Sequence, residues 1–411
     1  MTNASPNRSA RGGLYVTVGL LLAIWMVGLT VIASTVIPDL YWFSYYSIGY
    51  QLGFVRRGLA GQLVNMFPAQ EYFSVLRLVR WVPTGFYAAG LMVLGWAVAV
   101  RSGSSERRLM MALLVPVLPF GFTFALFSAR PDLIGAFALI IFATILRFTS
   151  DGRAVAVASA TYGLLTALVA FTHEATPFLF GLGAILALTV LGRDLRGNLL
   201  RLCCVLAIAP GLLASSIIAL FGRRGISTEL CEIIPHGAVN WPASGHPTVG
   251  QILGGFRFDV DYHDWICRNI VPLYDQSFSD ALRYVANIGP LLLGAATAIG
   301  VLLFVASLLA ISHVSGVPLG RFWRIARTRT TWIVFGAALF LPIFMTGVDW
   351  IRWWVTASLD VGVVFLLFAS SQSEARMVPT RQARLVFIAG TTLLALFPIG
   401  ILPGFGAPVP M

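Results

Sequence analysis

Long apolar runs separated by short polar connections dominate the chain. Eleven of them lie near the roughly 20 residues (range about 17–25) that a helix needs to cross a hydrocarbon core about 30 Å thick. They fall near 14–37, 83–101, 109–127, 132–148, 155–172, 175–192, 199–221, 289–313, 331–348, 354–370 and 385–403. This pattern predicts an all-α polytopic membrane protein with about 11 transmembrane helices, forming a single transmembrane domain over 1–411. The first run follows Arg8 and Arg11 and is too long for a signal-peptide core, so it reads as a retained signal anchor. No internal repeat, heptad pattern or low-complexity tail stands out.

Two connections are long enough to fold. Segment 38–82 opens on the aromatic run Trp42-Phe43-Ser44-Tyr45-Tyr46 and closes on 71–81, which carries Arg77 and Arg80. Both stretches read as interfacial helices, apolar side down, with the two Arg at headgroup level. Segment 222–288 is polar and rich in Asp and Gly. It holds Cys231 and Cys267, which on an oxidising side are able to pair in a structural, non-catalytic bridge; Cys203 and Cys204 lie inside an apolar run.

Composition narrows the class. With 58% hydrophobic and 11% charged residues, and a mean hydropathy of +0.84, an ordinary soluble globule and a disordered chain are both excluded. The net charge of +11 is carried by 28 basic residues that are all Arg, a bias that fits a GC-rich genome. Alternate connections (the N-terminus, 101–108, 147–154, 193–201, 314–330 and 371–384) hold 17 of the 28 Arg and only Glu106, Asp151, Asp194 and Glu374 as acids. By the positive-inside rule those connections are cytoplasmic. The N-terminus is then cytoplasmic and the C-terminus extracytoplasmic, with 38–82 and 222–288 as outer loops. The charge therefore reads as a topology signal and not as a nucleic-acid footprint.

Charged side chains at membrane depth mark functional sites. Five groups pass this filter, all at outer helix ends. Asp39 follows the first run. Arg56 and Arg57 sit among glycines in 53–61, where guanidinium forks suit phosphate and glycines let backbone N–H groups approach an anion. Arg130 and Asp132 flank Pro131 at the start of the fourth run, where Asp132 also suits the positive end of a helix dipole. His173 and Glu174 share a turn of a few residues and form a candidate proton-transfer pair. Asp349 and Arg352 are spaced to pair as i,i+3, beside Trp350, Trp353 and Trp354, which suit either an interfacial belt or stacking on sugars. One shared outward-facing site follows, with carboxylates for acid–base work and Arg for an anionic group such as a lipid-linked phosphate. No metal-ligand spacing and no Gly-rich nucleotide loop appears.

The first run, the loop with two interfacial helices and the acid after that run resemble the GT-C superfamily of polyprenyl-phosphate-sugar glycosyltransferases. The set Gly-Phe-Val-Arg-Arg-Gly-Leu (53–59), Arg-Pro-Asp (130–132), His-Glu (173–174) and Asp-x-x-Arg-Trp (349–353) is similar to bacterial envelope-polysaccharide membrane proteins, polymerase-like ones included. The resemblance spans most of the chain by topology and about 20 residues by motif. It implies a multi-pass enzyme of the bacterial cytoplasmic (inner) membrane that transfers sugar from a polyprenyl phosphate or pyrophosphate donor to an envelope glycan or lipid acceptor outside the cytoplasm. Arg56, Arg57, Arg130 and Arg352 would hold the donor phosphate, with Asp349 ordering them. Asp39, Asp132 or Glu174 would take the acceptor proton. Segment 38–82 lacks the family's paired acidic motif, which leaves His173-Glu174 as a rival to Asp39. No cofactor is required by any motif, and a divalent metal stays open. A flippase or transporter of a lipid-linked or anionic precursor is the alternative; it would place polar groups along a path through the bilayer, whereas here the spans are mostly apolar, with Asp360 the main exception.

Overall fold

The computed structural model describes residues 7–36, 39–192, 195–242 and 257–399. Helices occupy each of the segments marked by apolar runs. Among the described residues, eight are long and apolar enough to cross a membrane: Gly13–Ser34, Ala69–Arg101, Glu106–Phe127, Gly152–Ala170, Gly197–Phe221, Pro290–Ser315, Leu319–Thr346 and Trp350–Ser370. Two shorter apolar helices, Leu133–Phe148 and Thr176–Leu191, stand among them. Arg381–Leu396 is a further helix at the end of the described chain. The protein is an all-α polytopic membrane protein.

Burial sorts these helices by position. In Trp350–Ser370, 94% of the most apolar window is buried, against 17% in both Gly13–Ser34 and Pro290–Ser315. With no hydrophobic drive between helices in lipid, close packing through small residues holds such a bundle. Gly183 illustrates this: a Cβ there would come within 2.8 Å of Asp360 Oδ1. The bare backbone lets its N–H donate to Asp360 Oδ2 at 3.0 Å, so the central helix carries a buried acid without a second charge.

The two long connections co-fold instead of lying separately on the bilayer. Leu40, Phe43, Ile48 and Leu76 from the first share one apolar core with Ile226, Leu230, Tyr262 and Ile266 from the second. This cap contains a two-stranded antiparallel hairpin, β1 (Ala238–Pro242) and β2 (Arg257–Asp261). A disulfide joins Cys231 to Cys267 with Cα atoms 5.5 Å apart. Two readings of the aromatic runs are corrected here. Trp42, Phe43, Tyr45 and Tyr46 are at most 5% exposed, because the second connection covers them and not lipid. Arg80 is 6% exposed and stacks on Trp81 at 4.4 Å, so headgroup exposure does not describe it.

At the opposite end, several Arg of the positively charged connections cap helix C-termini, whose last carbonyls lack intrahelical partners. Arg108 donates from Nε and Nη2 to Ser370 O at 2.9 and 2.6 Å, closing the central helix. Arg107 donates to Val314 O at 3.0 Å, at the end of Pro290–Ser315. Glu106 gathers Tyr15 and a bidentate Arg384, tying the first and last described helices to Glu106–Leu114.

Candidate functional site

Helix starts deliver charges to one place under the cap. Gly58–Val64 is a helix of 7 residues whose preceding residue, Arg57, has φ 58°, in the left-handed region. Among the described residues Arg57 is the one non-glycine at positive φ. Such a conformation costs about 1–2 kcal/mol for a residue with a Cβ, and surrounding contacts must hold it. Glycines make the tight loop around it possible: Gly53 turns at φ +102°, and Gly61 sits where a Cβ would come within 2.1 Å of Ile48 O. Gly61 thus lets backbone pack on backbone, and the Gly53 N–H donates to Tyr50 O at 3.0 Å.

From this position Arg57 grips Glu174 in a fork, Nε to Oε2 at 2.8 Å and Nη2 to Oε1 at 2.9 Å. Arg56 lies 4.0 Å from the same carboxylate, donates to Leu273 O and sits 5.1 Å from the Tyr274 ring centre. The Arg57 guanidinium lies 5.5 Å from the Tyr45 ring centre, and Tyr45 stacks on His173 at 5.7 Å. Burial alone would raise the Glu174 carboxyl, but the Arg57 and Arg56 guanidiniums outweigh it and hold it below the usual carboxylate range. His173 is 5% exposed, and its Nδ1 has no partner among the described residues. Burial pushes the imidazole down to about 4, with Asp132 pulling it up and Arg57 pushing it further down. It is neutral at physiological pH.

Behind this lies a second tier of charges. The Asp132 carboxylate pairs with Arg352, both side chains 1% exposed, and Arg352 Nε also donates to Ser128 Oγ at 2.5 Å. Arg130 pairs with Asp349, the side chains 5% and 14% exposed, and its guanidinium lies 5.3 Å from the Tyr41 ring centre. The pairs therefore cross between helix starts, and Asp349 with Arg352 as an i,i+3 pair does not form. Asp132 precedes Leu133–Phe148 but makes no cap bond, because its side chain turns to Arg352. Trp350, Trp353 and Trp354 pack around Phe344; Trp353 is 6% exposed and the other two are half-buried.

Nearly all the sequence-derived candidates thus converge: Arg56, Arg57, Arg130, Asp132, His173, Glu174, Asp349 and Arg352. Asp39 starts the short helix Asp39–Phe43, and its side chain lies outside the described residues. Exposure divides the set. The Arg56, Arg57 and Glu174 side chains are 29%, 26% and 27% exposed, so a ligand can reach them. Arg130, Arg352 and Asp132 are sealed in pairs. Sequence reasoning missed the tyrosines 41, 45 and 274, whose rings flank the guanidiniums; an aromatic run beside an Arg pair was the available signal. A separate cavity of about 560 Å³ lies at the other ends of the helices, lined by Arg147, Arg196, Arg329, Thr189, Ser371 and Gln372. It is remote from this cluster.

The depressed His173 gives a pH prediction. The unfolded chain takes up this proton near pH 6.5 and the folded protein near 4. Stability therefore rises with pH through that window and is complete above it. Glu174 acts in the same sense, its contribution being lost only below about 4.5. The melting temperature in detergent is expected to fall from pH 6.5 to 4.5, and His173→Phe, which keeps the stack on Tyr45, to flatten that fall. An unchanged slope in the variant would assign the effect to other groups.

The profile of the family described as "Uncharacterised membrane protein Rv1490" matches residues 15–395. Among curated proteins, the chain is similar to the "Uncharacterized protein Rv1490" of Mycobacterium tuberculosis (strain ATCC 25618 / H37Rv), at 37% identity over 395 residues, covering 95% of this chain and 91% of the relative. The "Uncharacterized protein Mb1527" of Mycobacterium bovis matches with the same identity and coverage. No solved structure matches. With a full-length relative and a family profile over nearly its whole length, this chain belongs to the Rv1490 membrane protein family.

Proposed function

We propose that this protein is a glycosyltransferase of the bacterial cytoplasmic membrane that uses a polyprenyl-phosphate- or pyrophosphate-linked sugar on the extracytoplasmic side to build a cell-envelope glycan. The observation that carries the reading is the reachable Arg56–Arg57 pair beside a neutral, buried His173 whose Nδ1 has no partner among the described residues, beneath a folded cap at the membrane face. Planar guanidiniums suit phosphate oxygens, and the buried rings of Tyr45 and Tyr274 hold them in place.

In the proposed step the acceptor hydroxyl oxygen bonds to the anomeric carbon as that carbon's bond to the phosphate oxygen breaks. The electron pair stays on the phosphate, where Arg56 and Arg57 stabilise it. The hydroxyl proton goes to His173 Nδ1. A bound phosphate would raise the basicity of this imidazole by Coulomb attraction, so donor binding would itself prepare the base. Glu174, with both oxygens on Arg57, orients the guanidinium plane rather than taking the proton. Arg130 and Arg352 support this site from sealed pairs instead of touching the donor. Asp39 remains the family-like rival base.

One observation favours the transporter alternative: Asp360 is fully buried in the central helix, with Oδ1 unpartnered, and intramembrane acids commonly serve proton or substrate pathways. Reconstitution separates the two. Purified protein in liposomes with radiolabelled polyprenyl-linked sugars is expected to transfer label to an acceptor, with His173→Phe and Arg57→Ala each losing at least ~100-fold. Movement of intact lipid-linked sugar across the bilayer, without transfer from any donor, would overturn the enzyme reading.

A further inference from the structure

The cap holds a second constellation that the proposed chemistry does not use. His236 follows Cys231 by five residues, and His263 precedes Cys267 by four, one helical turn, on Tyr262–Asn269. The Cys231–Cys267 bridge therefore sets the two histidine segments side by side. The imidazoles lie face to face, centroids 3.9 Å apart at 24°. The Nδ1 of each ring meets its own carboxylate, His236 Nδ1 with Asp261 Oδ1 at 3.2 Å and His263 Nδ1 with Asp264 Oδ1 at 3.1 Å. Asp261 is itself fixed, since Oδ1 accepts the Asp264 N–H at 3.1 Å as the cap of the helix.

One ligand atom from each of these four residues lies within 4.8 Å of all the others. Neighbouring ligands around a tetrahedral ion with bonds of about 2.0–2.1 Å sit roughly 3.3 Å apart, so the nitrogen–oxygen separations suit a shared ion as well as hydrogen bonds. Two imidazoles with two carboxylates fit a zinc-class transition metal, whereas magnesium and calcium favour all-oxygen sets.

We infer that His236, Asp261, His263 and Asp264 form a binding site for a divalent transition-metal cation of the zinc class. The site braces the hairpin against the helix Tyr262–Asn269. That helix runs on to Val271–Tyr274, where Leu273 O accepts from Arg56 and the Tyr274 ring lies beside it. The ion would stiffen the cap from outside the candidate site, whatever reaction that site performs.

The test uses full-length protein in detergent, stripped with a chelator and titrated with zinc chloride, with bound metal counted by elemental mass spectrometry. One zinc per chain is expected. His236→Ala and His263→Ala should each weaken binding by about 100-fold, the upper end of losses seen for metal-site partners. His313→Ala, at an exposed histidine on another helix, should leave it unchanged. Asp264→Asn guards against misfolding as the cause, because that side chain is 67% exposed; it should weaken zinc binding while leaving the melting temperature of the metal-free protein unaltered. Equal zinc in the wild type and the double histidine variant overturns the site. Zinc lost in Cys231→Ser/Cys267→Ser but retained in Asp261→Asn/Asp264→Asn overturns it too, in favour of thiolate ligation.

Discussion

Arg352→Met is expected to cost about 3–5 kcal/mol of stability, the range for breaking one side of a buried ion pair. Both Arg352 and its partner Asp132 are 1% exposed; Arg352 bonds Asp132 Oδ2, and Oδ1 has no hydrogen-bond partner among the described residues. Removing the guanidinium leaves a carboxylate sealed between helix starts without its ion-pair partner, with Arg130 already engaged by Asp349. Taking away the second charge as well should reverse most of the damage, because a buried pair contributes little net energy over neutral groups of similar size. The double variant Asp132→Asn/Arg352→Met should therefore melt well above the single one in detergent. If both melt together, charge compensation is not what holds this junction, and the shape of the Arg352 side chain is.

Glu174→Gln should separate holding a phosphate from releasing it. The carboxylate neutralises Arg57 through a fork and attracts Arg56 from 4.0 Å. Its removal leaves two adjacent guanidiniums without a described acid in contact. An added attraction of roughly 1–4 kcal/mol for a phosphate about 4 Å away predicts polyprenyl phosphate binding at least about fivefold tighter. Transfer should nonetheless fall by at least ~100-fold, since the Arg57 plane loses the partner that fixes it and orientation carries much of the rate. Arg57→Ala should weaken both. The pair of measurements is lipid-phosphate affinity and single-turnover transfer, and weaker binding in Glu174→Gln would sink the argument.

The membrane architecture was legible because length and apolarity suffice for it. A helix such as Gly197–Phe221 satisfies its own backbone, and no partner needs to be known. The convergence of charges could also be read, since Arg130, His173 and Asp349 all sit at helix starts on one side of the bundle. What sequence could not give was pairing. Asp349 is three residues from Arg352, yet its partner is Arg130, and that choice depends on how two helices meet. Nor could it give reach: Arg56 and Arg352 carry the same guanidinium, and only packing makes one accessible and seals the other. The cap stayed hidden for a similar reason. Trp42 and Tyr46 have the composition of lipid-facing residues, and the second connection that covers them lies far along the chain. Arg107 and Arg108 read as orientation signals until the carbonyls they cap were in view.

Arg57 carries a consequence for how this family can vary. Its backbone geometry is one that glycine adopts freely and arginine resists. Along the main chain, drift at this position runs downhill toward glycine, and nothing but the guanidinium and its hold on Glu174 opposes it. Position 57 thus reports on selection directly. A relative that keeps arginine there still has a use for the side chain, whereas one that has relaxed to glycine lacks the fork to Glu174.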